Sequence, residues 1–256
     1  MFRVIESRPL GEVNLDDPLV VVGLPGIGLV GKLAASTIAK QLGLEKVADL
    51  FFGDFPPQAV VDADGGLEIP KAELWAKRMD EAPDVVVLTG DAQPTTPRGV
   101  FAFAASTCEL LKRFKCSALV AGGAMVTGRV PEEPRVHVAS THPSLLERFT
   151  SLRSKRCQPM AGGVITGLNG VLPAWMGRVE GVPGACLLAE VVPGLEVDPR
   201  AAKAVLEAVK ETFGHEFDHP DLDALVERVE ESLKAMARAS EATREKGDRR
   251  PDSYFG

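Results

Sequence analysis

Nothing in this chain of 256 residues approaches the roughly 18 consecutive apolar residues that a membrane span needs. The opening stretch, MFRVIESRPLGEVNLDDP, carries charges where a signal peptide needs an apolar core, so the expected location is cytoplasmic, with no membrane partner. Basic charge is short as well. With 29 Lys and Arg against 36 Asp and Glu the formal net charge is −7, and no basic run is visible. That balance argues against a nucleic-acid binder, whose affinity comes largely from neutralising phosphates. There are only four cysteines, Cys108, Cys116, Cys157 and Cys186, and none is at CxxC spacing. They lie in or beside apolar elements, the setting of reduced core thiols rather than of disulfides or a zinc site. GxSxG and SxxK are missing too, and His137 and His142 stand near no nucleophile signature. No catalytic residue, metal ligand or cofactor is assigned.

What the chain does have is the length and the 45% hydrophobic content to bury a full core. Short apolar runs alternate with amphipathic stretches, the pattern of an α/β fold in which helices cover a mostly parallel sheet. Strands are expected at residues 19–22, 47–52, 58–61, 84–88, 117–121, 135–140 and 185–191. A hairpin turn is expected at Asp64-Gly65-Gly66. Helices are expected at 29–42, 99–115, 143–152 and 199–213. The last of these opens on Asp198 as N-cap and Pro199 at the first helical position.

The strand at 19–22 runs into GLPGIGLVGK, where Gly26, Gly28 and Gly31 satisfy GxGxxG. A glycine turn opening a helix suits an anion, because free N–H groups and the positive end of the helix dipole converge there. The dinucleotide fingerprint also needs an acid on the next strand's end, and neither Asp49 nor Asp54 clearly supplies one. Read as a Walker A loop, the segment offers Lys32 but puts Leu33 where a hydroxyl should meet magnesium. The plainer reading is a tight βα turn with close helix-to-sheet packing. Asp91, at the end of another strand, and the glycines at 122–123 and 128 would gather at the same carboxyl edge. A ligand loop at Gly26, Gly28, Gly31 and Asp91 is therefore the rival expectation, in a small-molecule or nucleoside binder or enzyme.

His215-Glu216-Phe217-Asp218-His219 matches the HExxH pattern of zinc proteases, which needs both histidines one helical turn apart. Gly214 before it and Pro220 after it mark a break between helices instead. Leu222, Leu225, Val226, Val229, Leu233 and Met236 then recur at helical spacing. The expected organisation is a body at 1–213, an amphipathic helix within 214–239 and a charged, flexible tail at 240–256. The tail ends on two adjacent aromatics, Tyr254 and Phe255, before Gly256.

Taken in order, GLPGIGLVGKLAAS, FPP, TGDAQP, AGGAMVTG, GGVITGLNGVLP and DPRAAKAVLEAV resemble the archaeal branch of the proteasome assembly chaperone family, of the chaperone 2-like kind. The resemblance spans residues 19–213. It implies a three-layer αβα fold like that of nucleoside phosphorylases, without phosphorylase chemistry, and a homo-oligomer that binds proteasome α subunits or the α-ring. Members commonly end in a hydrophobic-Tyr-X motif that enters pockets between α subunits. The matching partner-binding residues here are Tyr254, Phe255 and Gly256, with Phe in place of the penultimate Tyr. A purely structural oligomer with an incidental tail is the third reading.

Overall fold

The computed structural model describes residues 1–128 and 130–248. In chain order its elements are β1 (Phe2–Glu6), β2 (Leu19–Gly23), α1 (Val30–Gln41), β3 (Glu45–Phe52), a small hairpin of β4 (Val60–Val61) and β5 (Leu67–Glu68), β6 (Ala72–Lys77), β7 (Val85–Gly90) and α2 (Pro97–Lys112). There follow β8 (Ala118–Val126), β9 (Val136–Ser140), α3 (Pro143–Thr150), β10 (Cys157–Pro159), α4 (Leu168–Arg178), β11 (Gly184–Val191), α5 (Pro199–Phe213) and α6 (Pro220–Asp248).

Leu19-Val20-Val21-Val22 has no polar alternation because β2 is covered on both faces. Leu19 and Val21 join one core with Val87, Val120 and Leu187, roofed by α1, α3 and α5. Val20 and Val22 point the other way, into a core with Leu88 and Leu119 closed by α2 and α4. The result is a three-layer αβα body. Its nine-stranded sheet runs β1-β3-β6-β7-β2-β8-β11-β9-β10. Strands β7, β2, β8 and β11 are parallel neighbours, with Val20 opposite both Val86 and Leu119. Antiparallel pairings bring in β6, β3 and β1 on one side and β9 on the other.

Helix α5 starts as the sequence indicates, with Asp198 Oδ1 accepting from Ala201 N at 3.2 Å. Helix α2 starts at Pro97, two residues before the expected 99, where Thr96 Oγ1 accepts from Gly99 N at 3.0 Å; proline takes the first turn in both.

Other elements depart from expectation. Strand β8 continues through Gly122 and Gly123 to Val126, so these glycines are not a loop beyond a strand ending at 121. The reason is steric: α1 lies so close to β8 that a Cβ on Gly31 would sit 2.2 Å from the Gly122 carbonyl oxygen. Helix α4 escapes the sequence reading because Gly170, Pro173 and Gly177 look like breakers within it. Strand β6, Ala-Glu-Leu-Trp-Ala-Lys, escapes it for want of β-branched residues. Helix α6 runs on to Asp248, nine residues past the end at 239 that its apolar stripe suggests. Of that stripe only Leu222 is buried, and Leu225 and Met236 are exposed.

Candidate functional site

Because β7, β2, β8 and β11 run the same way, their carboxyl ends share one edge of the sheet, where α/β folds bind ligands. The turn after β2 is built at that edge from left-handed backbone, with φ of 62° at Gly28 and 49° at Leu29. It is held by Leu29 N donating to Gly26 O at 3.0 Å and by Asp198 N donating to Gly28 O at 2.9 Å. Gly31 is required by the contact with Gly122, and a Cβ on Gly23 would in turn lie 1.9 Å from Gly31 O. Gly26 differs from the other three. Its backbone is extended, and the nearest atoms to an added Cβ are 3.7 Å away.

The sequence-predicted ligand loop is therefore split. Gly26 and Gly31 line a cleft at the edge; Gly28 and Asp91 do not. Asp91 instead forms an ion pair with Lys32 at 3.6 Å and accepts from Lys71 N at 3.4 Å. Leu33, in the place of the missing hydroxyl, packs against the α1/α5 core.

Two residues that the sequence reading missed organise the edge. Asn169, buried in the first turn of α4, accepts from Leu24 N at 3.2 Å and donates to Leu24 O at 3.1 Å. Gln93 donates to Pro25 O and accepts from Leu168 N at 2.7 Å. The loops after β2 and β7 are thus tied to the start of α4 by two carboxamides. The available signal was a carboxamide embedded in otherwise apolar or small-residue text, Asn169 in GLNGVLP and Gln93 in DAQP.

The cleft so formed holds about 400 Å³ and is walled by Met125, Met160, Ile165 and Leu188 beside Gln93 and Asn169. Its described lining residues include no Asp, Glu, Lys, Arg, His or Cys. Ile27, Val126 and Val164 stand exposed around it. Such a surface receives apolar groups. It offers no side chain suited to neutralising a phosphate or taking up a proton.

The histidines of HExxH are separated in role. His219 is buried against the carboxylates of Glu207 on α5 and Asp223 on α6, the latter at 3.1 Å. His215 is buried with neither ring nitrogen hydrogen-bonded, and burial pulls its pKa below the ordinary value. His137 lies 3.4 Å from Glu190, and His142 Nδ1 lies 3.0 Å from Ser144 Oγ. Among the described residues no cluster of three or more His, Cys, Asp or Glu is arranged to hold a metal ion. All four cysteines are free and buried. Desolvation pushes Cys108 and Cys186 up to about 12, and Cys116 and Cys157 up to about 11. Tyr254, Phe255 and Gly256 lie outside the described residues. No helix among the described residues is long and apolar enough to cross a membrane.

Fold and edge together define a three-layer α/β protein whose sheet edge carries an uncharged cleft framed by structural amides. Its sequence sorts it further. The chain belongs to the PAC2 family, whose model matches residues 20–237. It is similar to Pyrococcus furiosus PbaB, described as an archaeal proteasome activator, with 34% identity, 92% of this chain and 98% of that one covered, and a TM-score of 0.83. Pyrococcus furiosus PbaA, described as an archaeal homolog of proteasome-assembly chaperone, shares the fold at 24% identity and a TM-score of 0.70, with 96% of each chain covered. The Methanocaldococcus jannaschii protein MJ1210 is 30% identical over 99% of this chain and 96% of its own.

Proposed function

We propose that this protein is a non-enzymatic regulator or assembly chaperone of the proteasome, acting as a homo-oligomer in the cytoplasm. It binds α subunits or the α-ring in part through Tyr254, Phe255 and Gly256. The likeness to the proteasome activator PbaB over nearly the full length of both chains is the observation that carries this reading.

Other features support it. Helix α6 is anchored where it leaves the body, through buried Leu222 and the ion pairs of Asp221 with Lys40 and of Asp223 with Lys203. At 29 residues it is about 43 Å long, and no described side chain beyond Leu222 is buried. Such a helix leaves most of its described surface free to meet a partner. Two aromatics bring large apolar area at low entropy cost, and a terminal carboxylate pairs with a pocket cation. One such tip binds weakly, whereas several on a symmetric oligomer gain from effective concentration where pocket spacing permits. The rival reading, a small-molecule enzyme at the sheet edge, is disfavoured by a cleft whose described lining has no charged side chain and no base beside its one hydroxyl, that of Thr166.

Pull-down of proteasome α subunits by the full chain and by a chain ending at Ser253 tests the proposal. Binding by the full chain and at least tenfold weaker binding by the shortened one is expected. Equal binding removes the tail from the mechanism, and no binding by either refutes the reading.

A further inference from the structure

Residues 57–69, which include the hairpin β4–β5, are exposed without interruption. The turn itself is well specified. Asp62 Oδ1 accepts from Asp64 N at 2.9 Å and Gly66 N at 2.7 Å, Asp62 N donates to Gly66 O at 3.0 Å, and Gly65 takes φ of 83°. The flanks of the turn are not covered: Val60, Val61, Leu67 and Ile69 are 49%, 65%, 73% and 55% exposed. A two-stranded hairpin is marginal in water by itself, and the exposed cross-strand pair of Val61 and Leu67 gives one of its faces an apolar contact surface.

Beside the hairpin lies a depression of about 320 Å³, lined by Met1, Arg3, Ile5, Phe51, Ile69 and Pro70 among others. It sits on the outer face of the sheet's β1 edge. Phe2 and Val4 turn inward to the α2 core, leaving Arg3 and Ile5 on the opposite side, with Arg3 directly across from Phe51. Arg3 makes no ion pair among the described residues, whereas nearby cations such as Lys46 and Lys71 are paired.

We propose that the β4–β5 hairpin is an arm that seats in the β1–β3 depression of a second copy of this chain. The two surfaces are complementary. The arm is apolar with Asp64 at its turn, while Asp62 is engaged in the turn itself and Glu68 pairs with Lys71 at 3.3 Å; the seat is apolar with one unpaired arginine. They also adjoin, since Ile69 and Pro70 at the arm's base line the seat. Adjacent complementary surfaces fit a two-fold pair in which each copy lends its arm and receives the other's, which closes the contact. Arm and seat together engage about 20 residues per copy, the lower end of a standard interface of about 800 Å² a side.

The test uses the full chain. A mixture of Ile5→Cys and Val61→Cys proteins, oxidised mildly, is expected to give a covalent dimer on a non-reducing gel; the buried native thiols do not compete. Leu67→Asp, at an exposed site, is expected to keep the folded circular-dichroism spectrum and to lower the native mass, with a Tm that no longer depends on protein concentration. Arg3→Glu is expected to weaken self-association about tenfold, and Asp64→Lys in the same chain to restore most of it. A native mass equal to one chain, or an oligomer that forms no cross-link and keeps its mass with Leu67→Asp, overturns the proposal. So does loss of α-subunit binding by Leu67→Asp with the oligomer intact, which would give the arm to a different partner. The inference rests on the homo-oligomer of the proposed function and not on its tail: a chain ending at Ser253 should keep its native mass, so failure of the tail and failure of the arm are told apart.

Discussion

Replacing Gly31 by alanine puts the account of the glycine turn under direct strain. The new Cβ would stand 2.2 Å from the Gly122 carbonyl oxygen and 2.9 Å from its carbon, both backbone atoms in a central strand. Neither can swing aside as a side-chain end would, so α1 must lift from β8. Overpacking of that kind costs about 1–3 kcal/mol, and a rigid backbone neighbour puts the cost at the upper end. Alanine returns up to about 1 kcal/mol through better helix propensity. The net loss is about 2 kcal/mol, which for a domain of this size lowers Tm by about 4–8 °C. Gly26→Ala is the matched control. Its Cβ meets nothing nearer than 3.7 Å on extended backbone, so its effect should stay within about 0.5 kcal/mol. Differential scanning calorimetry of the two variants beside the parent decides the matter. If Gly31→Ala melts with the parent, or if both variants fall equally, close helix-to-sheet packing is not what these glycines provide.

Asp198 is fully buried and its carboxylate accepts from both Ala201 N and Val192 N, so Asp198→Ala should cost about 2 kcal/mol in urea unfolding, with Asp198→Asn losing less. An Asp198→Ala loss under 0.5 kcal/mol would contradict the capping role. His215 gives a pH signature. Burial lowers the ring's pKa in the folded state, so the unfolded chain takes up a proton more readily as the pH falls below about 6.5. Its contribution is therefore complete above that pH and is lost as the pH falls, with a limiting slope of about 1.4 kcal/mol per pH unit. His215→Phe should flatten urea stability between pH 7 and 5, and an unchanged slope would show that another group titrates there.

Much of the fold was legible because the central strands are written in unbroken apolar residues. Leu19-Val20-Val21-Val22 and Val85-Val86-Val87-Leu88 announce burial on both faces, and Asp198-Pro199 announces a helix start. What stayed hidden depends on partners distant in the chain. Gly122 and Gly123 look like a loop until Gly31 is brought onto the first and Leu188 and Asn169 onto the second, and α4 looks broken until the sheet supplies its packing. The edge was half legible for the same reason. Glycines advertise a turn from local sequence alone, but nothing near Gln93 or Asn169 reveals that each reaches Pro25 or Leu24 across 68 or 145 positions. Asp91 sits at a strand end as expected, yet the lysine one turn into α1 takes its charge.

The clasp of Asn169 on Leu24 also sets a timetable for the growing polypeptide. At about 5–20 residues per second, the Leu24 peptide group leaves the ribosome roughly 7–30 s before the side chain that will satisfy it. Within that interval β2, the middle strand of the finished sheet, waits for its edge neighbours β7 and β8, which arrive only after some 60 and 100 further residues. A nascent fragment stopping short of β7 would present an open, strongly apolar strand to whatever is nearby. Such a fragment should be far more prone to aggregate than its share of the hydrophobic residues alone would suggest.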